Sequence, residues 1–369
     1  MGRELALAPR LERDRLALLP VMRAVAPAAC RTALLDGGPA LLERVLAQDL
    51  GPLWHQRLQA AGLLDTLPPA MADALRTARQ AAAAGYLAHR WALAQVDALF
   101  AAQDIAYVVI KGVHVRECVY PDPALRPASD MDILVAPQDR RRAAQVLMDN
   151  GYAAQVLPNN VSFEASFRQG PVDIDLHWAM LREGRTRVDL TAGFLARRQQ
   201  THGVWGLSDS DAVFMMLTHP AFGKYVCSPQ MGLGRVADFM QWIQHKPVDW
   251  PAVRALLDAA GLKTAAWTML GWFRMLGQPD VIRTMDAWRA SLRPGPVRAA
   301  YLQRWLDHDL PTRWWPRERL LQLAFTLYLH DRPADMLRVF QGVWQARRRR
   351  LRDARVLMGD DYEWTPLQR

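Results

Sequence analysis

The feature that most limits the possible folds is an abrupt change of hydrophobic period near residue 104. Residues 1 to about 103 are rich in Ala, Leu and Arg, with apolar residues three to four positions apart, which predicts helices throughout. Four short runs then follow in which β-branched residues cluster or apolar and polar residues alternate, which predicts strands. These runs are AYVVIKG (106–112), MDILVA (131–136), SFEASFRQ (162–169) and PVDIDLHW (171–178).

The order of these segments predicts an α+β fold. A helix is expected over PQDRRRAAQVLMDNGY (137–152), which has a proline near its start and Asn150-Gly151 at its end. Helical spacing resumes after about residue 207. We therefore expect a small, mixed and twisted sheet embedded in a mostly helical chain of two or three packed units. The predicted regions are an N-terminal helical region (1–103), an α/β core (104–206) and a C-terminal helical region (207–369).

Charge and cysteine content limit the class of protein. The chain has 46 Lys and Arg against 37 Asp and Glu, a net charge of +9, which favours polyanionic partners such as nucleotide phosphates or RNA. Its three cysteines, Cys30, Cys118 and Cys227, are far apart and indicate neither a disulfide framework nor a thiolate zinc site. The N-terminus lacks a signal-peptide pattern, and no window approaches 18 apolar residues. We expect a cytoplasmic protein without a membrane span.

Asp-x-Asp spacing occurs four times, so only its context is informative. Ser208 and the acids after it open a helical segment, where they are expected to cap the helix. The pair in LDHDLP precedes a proline at a helix end and is predicted to be solvated. The other two pairs lie in strand-like runs. The four pairs are Asp130/Asp132, Asp173/Asp175, Asp209/Asp211 and Asp307/Asp309.

Carboxylates in a buried strand require a partner. Residues i and i+2 of a strand project to one face, so Asp130 and Asp132 point together, and Asp173, Asp175 and His177 do the same. An unpaired buried carboxylate costs roughly several kcal/mol, so converging acids usually face a cation. Carboxylates together with substrate phosphates are typical ligands of Mg²⁺ and Mn²⁺. Zinc is less favoured, because the histidines lack zinc-site spacing.

Several of these segments, in this order, resemble the polymerase-β-like nucleotidyltransferase superfamily, and specifically a poorly characterised bacterial branch. The segments are VIKG, LRPASDMDILV, NGY and VDIDLHW. The likeness covers about residues 35 to 275 and is strongest from 105 to 180. A later segment, LTHPAFGKYVCSPQMGLGRVADFMQWI, is similar to a helical part of that branch and places His219 and Asp238 on family positions.

The resemblance implies a metal-dependent transfer of a nucleoside monophosphate from a nucleoside triphosphate to an acceptor, with Mg²⁺ or Mn²⁺ as cofactor. It assigns Asp130 and Asp132 to the metal and makes Asp175 the third carboxylate, with Asp173 in reserve for that role. It leaves the acceptor open as a small molecule, a peptide or a protein. We expect that removing either acid of the first pair leaves folding intact or improves it, because crowded carboxylates repel one another.

The resemblance also implies a nucleotide-binding set, Lys111, Gly112, Arg126 and Ser129. The superfamily commonly has Gly-Ser in the turn where this chain has Lys111-Gly112-Val113, so positive charge from Lys111 or Arg126 replaces a hydroxyl. Structural alternatives stay open. Lys111 is either a phosphate ligand or a solvated strand end, and Arg126 either binds nucleotide or pairs with the acids of the Asp130 segment.

Other candidate residues have two interpretations each. His177 either contacts the acceptor or is a hydrogen-bonded core residue, and Ser129 either meets a phosphate or caps its turn. His219 and Asp238 contact substrate or serve as scaffold that ties helices to the sheet. Two further functions remain open for the whole chain: a binding or scaffold protein on a catalytically degenerate core, and an RNA-binding protein. The second is less favoured, because no nucleic-acid module is recognised.

Overall fold

Helices surround a single sheet in the computed structural model, which describes residues 9–155, 164–181, 184–222, 232–278, 281 and 283–352. Helices account for most of residues 9 to 102, and residues 1–8 lie outside the described part. The helices are α1 (Pro9–Ala17), α2 (Pro27–Ala47), α3 (Gly51–Gln59), α4 (Pro69–Ala102), α5 (Lys111–Val119), α6 (Arg140–Asp149), α7 (Thr191–Ala196), α8 (Asp209–Phe222), α9 (Gly232–His245), α10 (Trp250–Ala260), α11 (Lys263–Leu276), α12 (Asp286–Ser291), α13 (Pro296–Asp307), α14 (Leu310–Arg313), α15 (Glu318–Ala324) and α16 (Pro333–Arg352).

Seven strands of the described chain form one mixed sheet in the order β3-β4-β5-β2-β1-β7-β6. The four predicted strands are confirmed, and three further strands of three residues each were not predicted, because such short segments carry no readable period. The strands are β1 (Tyr107–Ile110), β2 (Met131–Val135), β3 (Ala153–Gln155), β4 (Glu164–Gln169), β5 (Val172–His177), β6 (Gln199–Thr201) and β7 (Val204–Gly206). The α+β expectation holds.

Strand β2 lies at the centre of the sheet, antiparallel to β1 and parallel to β5. On one face, Met131, Ile133 and Val135 pack with apolar residues of α4 and α6. On the other face, Leu134 joins a second core that contains residues of α5, α8 and α9. Since side chains alternate along a strand, Asp132 faces this second side. The sheet therefore presents its acids toward α5 and not toward α4.

The second core extends through all three predicted regions, from Leu11 to Leu329. Within it, the rings of Phe239 and Phe273 stack with centroids 4.1 Å apart. The prediction that Asp309 is solvated is wrong: it is 4% exposed, and Arg10 Nε donates to its Oδ2 over 2.7 Å. A residue at the far end of the chain supplies this partner, so local context could not reveal it. No helix in the described ranges has the length and apolarity needed to cross a bilayer.

Candidate functional site

The register between β2 and β5 brings carboxylates together. Asp132 lies opposite Asp175, and Leu134 lies opposite His177. One ligand atom from each of Asp132, Asp175 and His177 lies within 4.8 Å of the others. Asp132 and His177 are buried, while Asp175 is half-buried. Two acids separated by 43 positions in the chain thus share one point on the sheet because their strands are neighbours and parallel.

Asp132 is held by two nitrogen groups. Its Oδ1 accepts a hydrogen bond from Lys111 Nζ, and His177 Nε2 lies 2.8 Å from the same oxygen. Burial raises the pKa of Asp132, but the Lys111 ammonium and the His177 imidazole outweigh that effect and bring the pKa below its ordinary value. The cation next to this carboxylate in the described structure is therefore a lysine, and Lys111 is not a solvated strand end.

Lys111 has an unusual backbone conformation for its residue type. Its φ is +57°, in the left-handed region that non-glycine residues adopt at a cost of roughly 1 kcal/mol or more. The residue directly follows β1 and begins α5, and Ile110 before it provides no side-chain cap for that helix. The turn therefore places a positive side chain and the first N–H groups of α5 beside the acids.

Asp130 sits just before β2 at the edge of the cluster. Its Oδ1 accepts a hydrogen bond from Ser129 Oγ over 3.2 Å, and the residue is partly exposed. Burial, followed by the charges of Asp132 and Asp175, raises the pKa of Asp130 to about 6. The structure thus brings Asp132 and Asp175 together with His177 and leaves Asp130 within electrostatic reach of both acids, outside that three-residue group.

Strand β4 contributes two residues that the sequence argument did not select. Ser166 Oγ donates to Asp175 Oδ1 over 2.5 Å, and Glu164 Oε2 lies 3.2 Å from His177 Nδ1. Burial raises the pKa of Asp175, partly offset by the Ser166 hydrogen bond and reinforced by Asp132. The alternation in EASFRQ was a usable signal, because it puts Glu164 and Ser166 on one face of an antiparallel neighbour of β5.

Asp173 is separated from this cluster. Arg168, its register partner on β4, donates two hydrogen bonds to its carboxylate, over 2.5 and 2.8 Å. The pair is largely accessible to solvent. Asp173 therefore shares a strand face with Asp175 but is bound by its own arginine.

Arg126 pairs with Asp238 and not with Asp130 or Asp132. Its Nε and Nη2 donate to the two carboxylate oxygens over 2.7 and 2.9 Å, and Tyr120 Oη donates to Oδ1 over 2.9 Å. Asp238 thus ties α9 to the segment that leads into β2, as its scaffold interpretation predicts. A Cβ added at Gly112 would lie 3.0 Å from Arg126 Nη2, so a glycine there permits the close approach of the guanidinium.

A small pocket opens beside the start of α5. Its lining includes Lys111, Gly112, Met215, His219 and Arg235. Burial, followed by the charges of Lys111 and Arg235, lowers the pKa of His219 well below its ordinary value. His219 is thus placed next to Lys111, on the same side of the sheet as the acids. The segment 223–231, part of the predicted family likeness, lies outside the described residues.

The other predicted caps can also be compared with the structure. Asp211 N donates to Ser208 Oγ over 3.3 Å at the start of α8, as the capping interpretation predicts. The Asp211 carboxylate additionally accepts a hydrogen bond from Arg197 Nη2 over 2.7 Å and is fully buried. Lys246 Nζ donates to Asp209 Oδ1 over 2.7 Å, so both acids of this pair have structural partners.

A mostly helical chain around one mixed sheet, with carboxylates on adjacent parallel strands, is consistent with a nucleotidyltransferase domain. A family model described as an uncharacterised nucleotidyltransferase matches residues 39–276, which is more than half of the chain. The chain belongs to this family. A search of curated proteins found no match.

Proposed function

We propose that this protein transfers a nucleoside monophosphate from a nucleoside triphosphate to an acceptor in a reaction that depends on a divalent cation. The observation that carries the proposal is the convergence of Asp132, Asp175 and His177 next to the first turn of α5, in a chain that belongs to a nucleotidyltransferase family. The acceptor is a small molecule, a peptide or a protein.

The donor set is suited to a divalent cation. Asp132 and Asp175 offer carboxylate oxygens, which Mg²⁺ and Mn²⁺ prefer, and His177 adds an imidazole nitrogen, a ligand more typical of transition metals. Asp130 interacts electrostatically with Asp132 and Asp175, so its charge makes the site more attractive to a cation. When bound, the cation would neutralise charge on the transferring phosphoryl group. We expect Mn²⁺ to bind more tightly than Mg²⁺ because of His177.

The chain offers positive groups for the triphosphate at the start of α5. Lys111 supplies an ammonium, and the uncapped N-terminal N–H groups of a helix favour phosphate oxygens. Arg235 and His219 line the pocket next to them. The Arg126 guanidinium donates hydrogen bonds to both carboxylate oxygens of Asp238. We therefore assign Arg126 a supporting role beside the pocket and not direct binding of phosphate.

The remaining step is a substitution at the α-phosphorus. A nucleophilic atom of the acceptor attacks it in line, the bond to the bridging oxygen of the β-phosphate breaks, and pyrophosphate leaves. Asp175 accepts the proton of the acceptor. Ser166 donates a hydrogen bond to Asp175 and fixes the orientation of its carboxylate for this transfer.

The test compares two acids on one strand face. The full chain is incubated with each labelled triphosphate, Mg²⁺ or Mn²⁺ and a mixture of candidate acceptors, and pyrophosphate release and labelled adducts are measured. Asp175→Asn is expected to lower turnover by about a thousandfold, a typical loss for a group acting in the transition state, whereas Asp173→Asn changes it little. Equal turnover by wild type and Asp175→Asn contradicts the mechanism.

A second candidate function is a binding protein on a degenerate core. The hydrogen bond from Lys111 to Asp132 and the missing hydroxyl of the Lys111-Gly112-Val113 turn favour it. It predicts binding of a nucleotide or protein partner that does not require a divalent cation and survives Asp132→Asn. Metal-dependent binding that this substitution removes rejects the degenerate alternative.

A further inference from the structure

Lys111 occupies a position that a divalent cation also needs. Its Nζ donates to Asp132 Oδ1 and lies 3.4 Å from His177 Nε2, so it contacts two of the three residues in the candidate metal group. The side chains of Lys111 and Asp132 are 12% and 7% exposed, which makes this a largely buried ion pair. An ammonium and a divalent ion repel each other and compete for the same oxygen.

The position of Lys111 in the chain gives its ammonium a second possible binding partner. The residue is the first of α5, where helix N–H groups favour phosphate, and it lines the pocket that contains His219 and Arg235. A lysine side chain is a flexible stem that carries a point charge, and it changes partner through rotations of its own bonds. One ammonium on this stem can therefore reach either the acid or a phosphate beside α5.

We propose that Lys111 is an internal counter-ion of Asp132 that competes with the divalent cation and transfers to the triphosphate when the nucleotide binds. This rests on the proposed function. Without nucleotide, the lysine stabilises Asp132 and keeps metal affinity low. With nucleotide, the ammonium bonds the phosphates and releases Asp132 as a ligand. Metal and nucleotide then bind with positive coupling, which must be reciprocal.

The first measurement is Mn²⁺ affinity of the full chain without nucleotide, by calorimetric titration. Lys111→Met is expected to bind Mn²⁺ at least about tenfold more tightly than wild type, since a neighbouring unit charge typically changes ionic equilibria by about ten- to a thousandfold. Lys111→Arg retains the charge and should stay within about threefold of the wild-type affinity. Lys263→Met is the matched control, because Lys263 pairs with Asp258 away from the site over 2.5 Å.

The second measurement uses the α,β-methylene analogues of ATP, GTP, CTP and UTP with Mn²⁺. Lys111→Met should bind the best of them at least about tenfold more weakly than wild type, the opposite direction from its effect on Mn²⁺ alone. Thermal unfolding checks that the variant is folded. The melting temperature of Lys111→Met should be below that of wild type in EDTA. Addition of Mn²⁺ should raise it by more than it raises the melting temperature of wild type.

The outcomes separate the two proposals. Mn²⁺ affinity that is unchanged or weaker in Lys111→Met overturns the counter-ion role, while metal-dependent turnover in the wild type leaves the proposed function standing. Failure of all variants to bind Mn²⁺, together with absent turnover, overturns both. Opposite shifts of Mn²⁺ and analogue affinity in Lys111→Met, with the Mn²⁺ shift absent when Asp132→Asn is present in both chains compared, support the exchange.

Discussion

Two neighbouring acids of this site should have opposite effects on stability. Asp130 and Asp132 are two residues apart, yet burial and the charges of Asp132 and Asp175 raise the pKa of Asp130, whereas Lys111 neutralises Asp132. Asp130→Asn removes repulsion, whereas Asp132→Asn removes the carboxylate that compensates a largely buried ammonium. The expectation that removing either acid leaves folding intact or improves it is therefore retained only for Asp130.

The expected changes in the free energy of unfolding of these two variants follow from the structure. At 1.36 kcal/mol per pKa unit, a rise from 3.8 to about 6 corresponds to about 3 kcal/mol for Asp130, and its partial exposure reduces the expected gain to about 1 to 3 kcal/mol. Breaking a buried ion pair from one side costs about 3 to 5 kcal/mol. Because Lys111 is 12% exposed, we expect a loss of about 2 to 4 kcal/mol for Asp132→Asn.

The assay is urea unfolding at about pH 7.5 in EDTA, with the free energy of unfolding taken from the midpoint at constant slope. The Asp130 effect also has a defined pH dependence. The pKa of this carboxyl is raised in the folded state, so its stabilising protonated form is lost as pH rises through about 6, and the gain from Asp130→Asn should shrink toward about pH 4. Destabilisation by Asp130→Asn, or stabilisation by Asp132→Asn, would refute the charge assignment.

Two further predictions concern packing and pH. Gly112→Ala should lower the free energy of unfolding by about 1 to 3 kcal/mol, because its Cβ would lie 3.0 Å from an Arg126 nitrogen that Asp238 holds in place. Gly234→Ala, whose Cβ would lie 3.5 Å from the same nitrogen, is the control and should be tolerated in urea unfolding. Burial lowers the pKa of His89, His114 and His330 to about 4, so the unfolded chain takes up these protons first as pH falls below 6.5. Burial also lowers the pKa of His219 and His55, so stability should decrease between about pH 6.5 and 4 through five histidines together. His330→Gln should reduce that slope by about a fifth to a quarter; a slope unchanged by this substitution contradicts the assignment.

Local pattern was sufficient for much of the fold. The alternation in EASFRQ and VDIDLH, together with the apolar runs of β1 and β2, identified four strands, because period and residue type are local properties of a strand. The same geometry predicted that Asp175 and His177 share a face. The three-residue strands β3, β6 and β7 were missed because they exist through pairing with neighbours and carry too few residues for a period.

The partners of the acids were decided by tertiary structure. The sequence by itself determined that Asp130 and Asp132 lie at the start of an apolar strand and need a cation, since alternation and the cost of burying charge follow from the chain alone. Which cation each acid meets depends on strand order and helix packing. The parallel pairing of β2 with β5 brings His177 to Asp132, and the left-handed turn at Lys111 directs an ammonium there. Helix α9 packs against α5 and brings Asp238 to Arg126, which lies 112 positions away in the chain. The sequence could not reveal this pair, because long-range contacts have no signature in local periodicity.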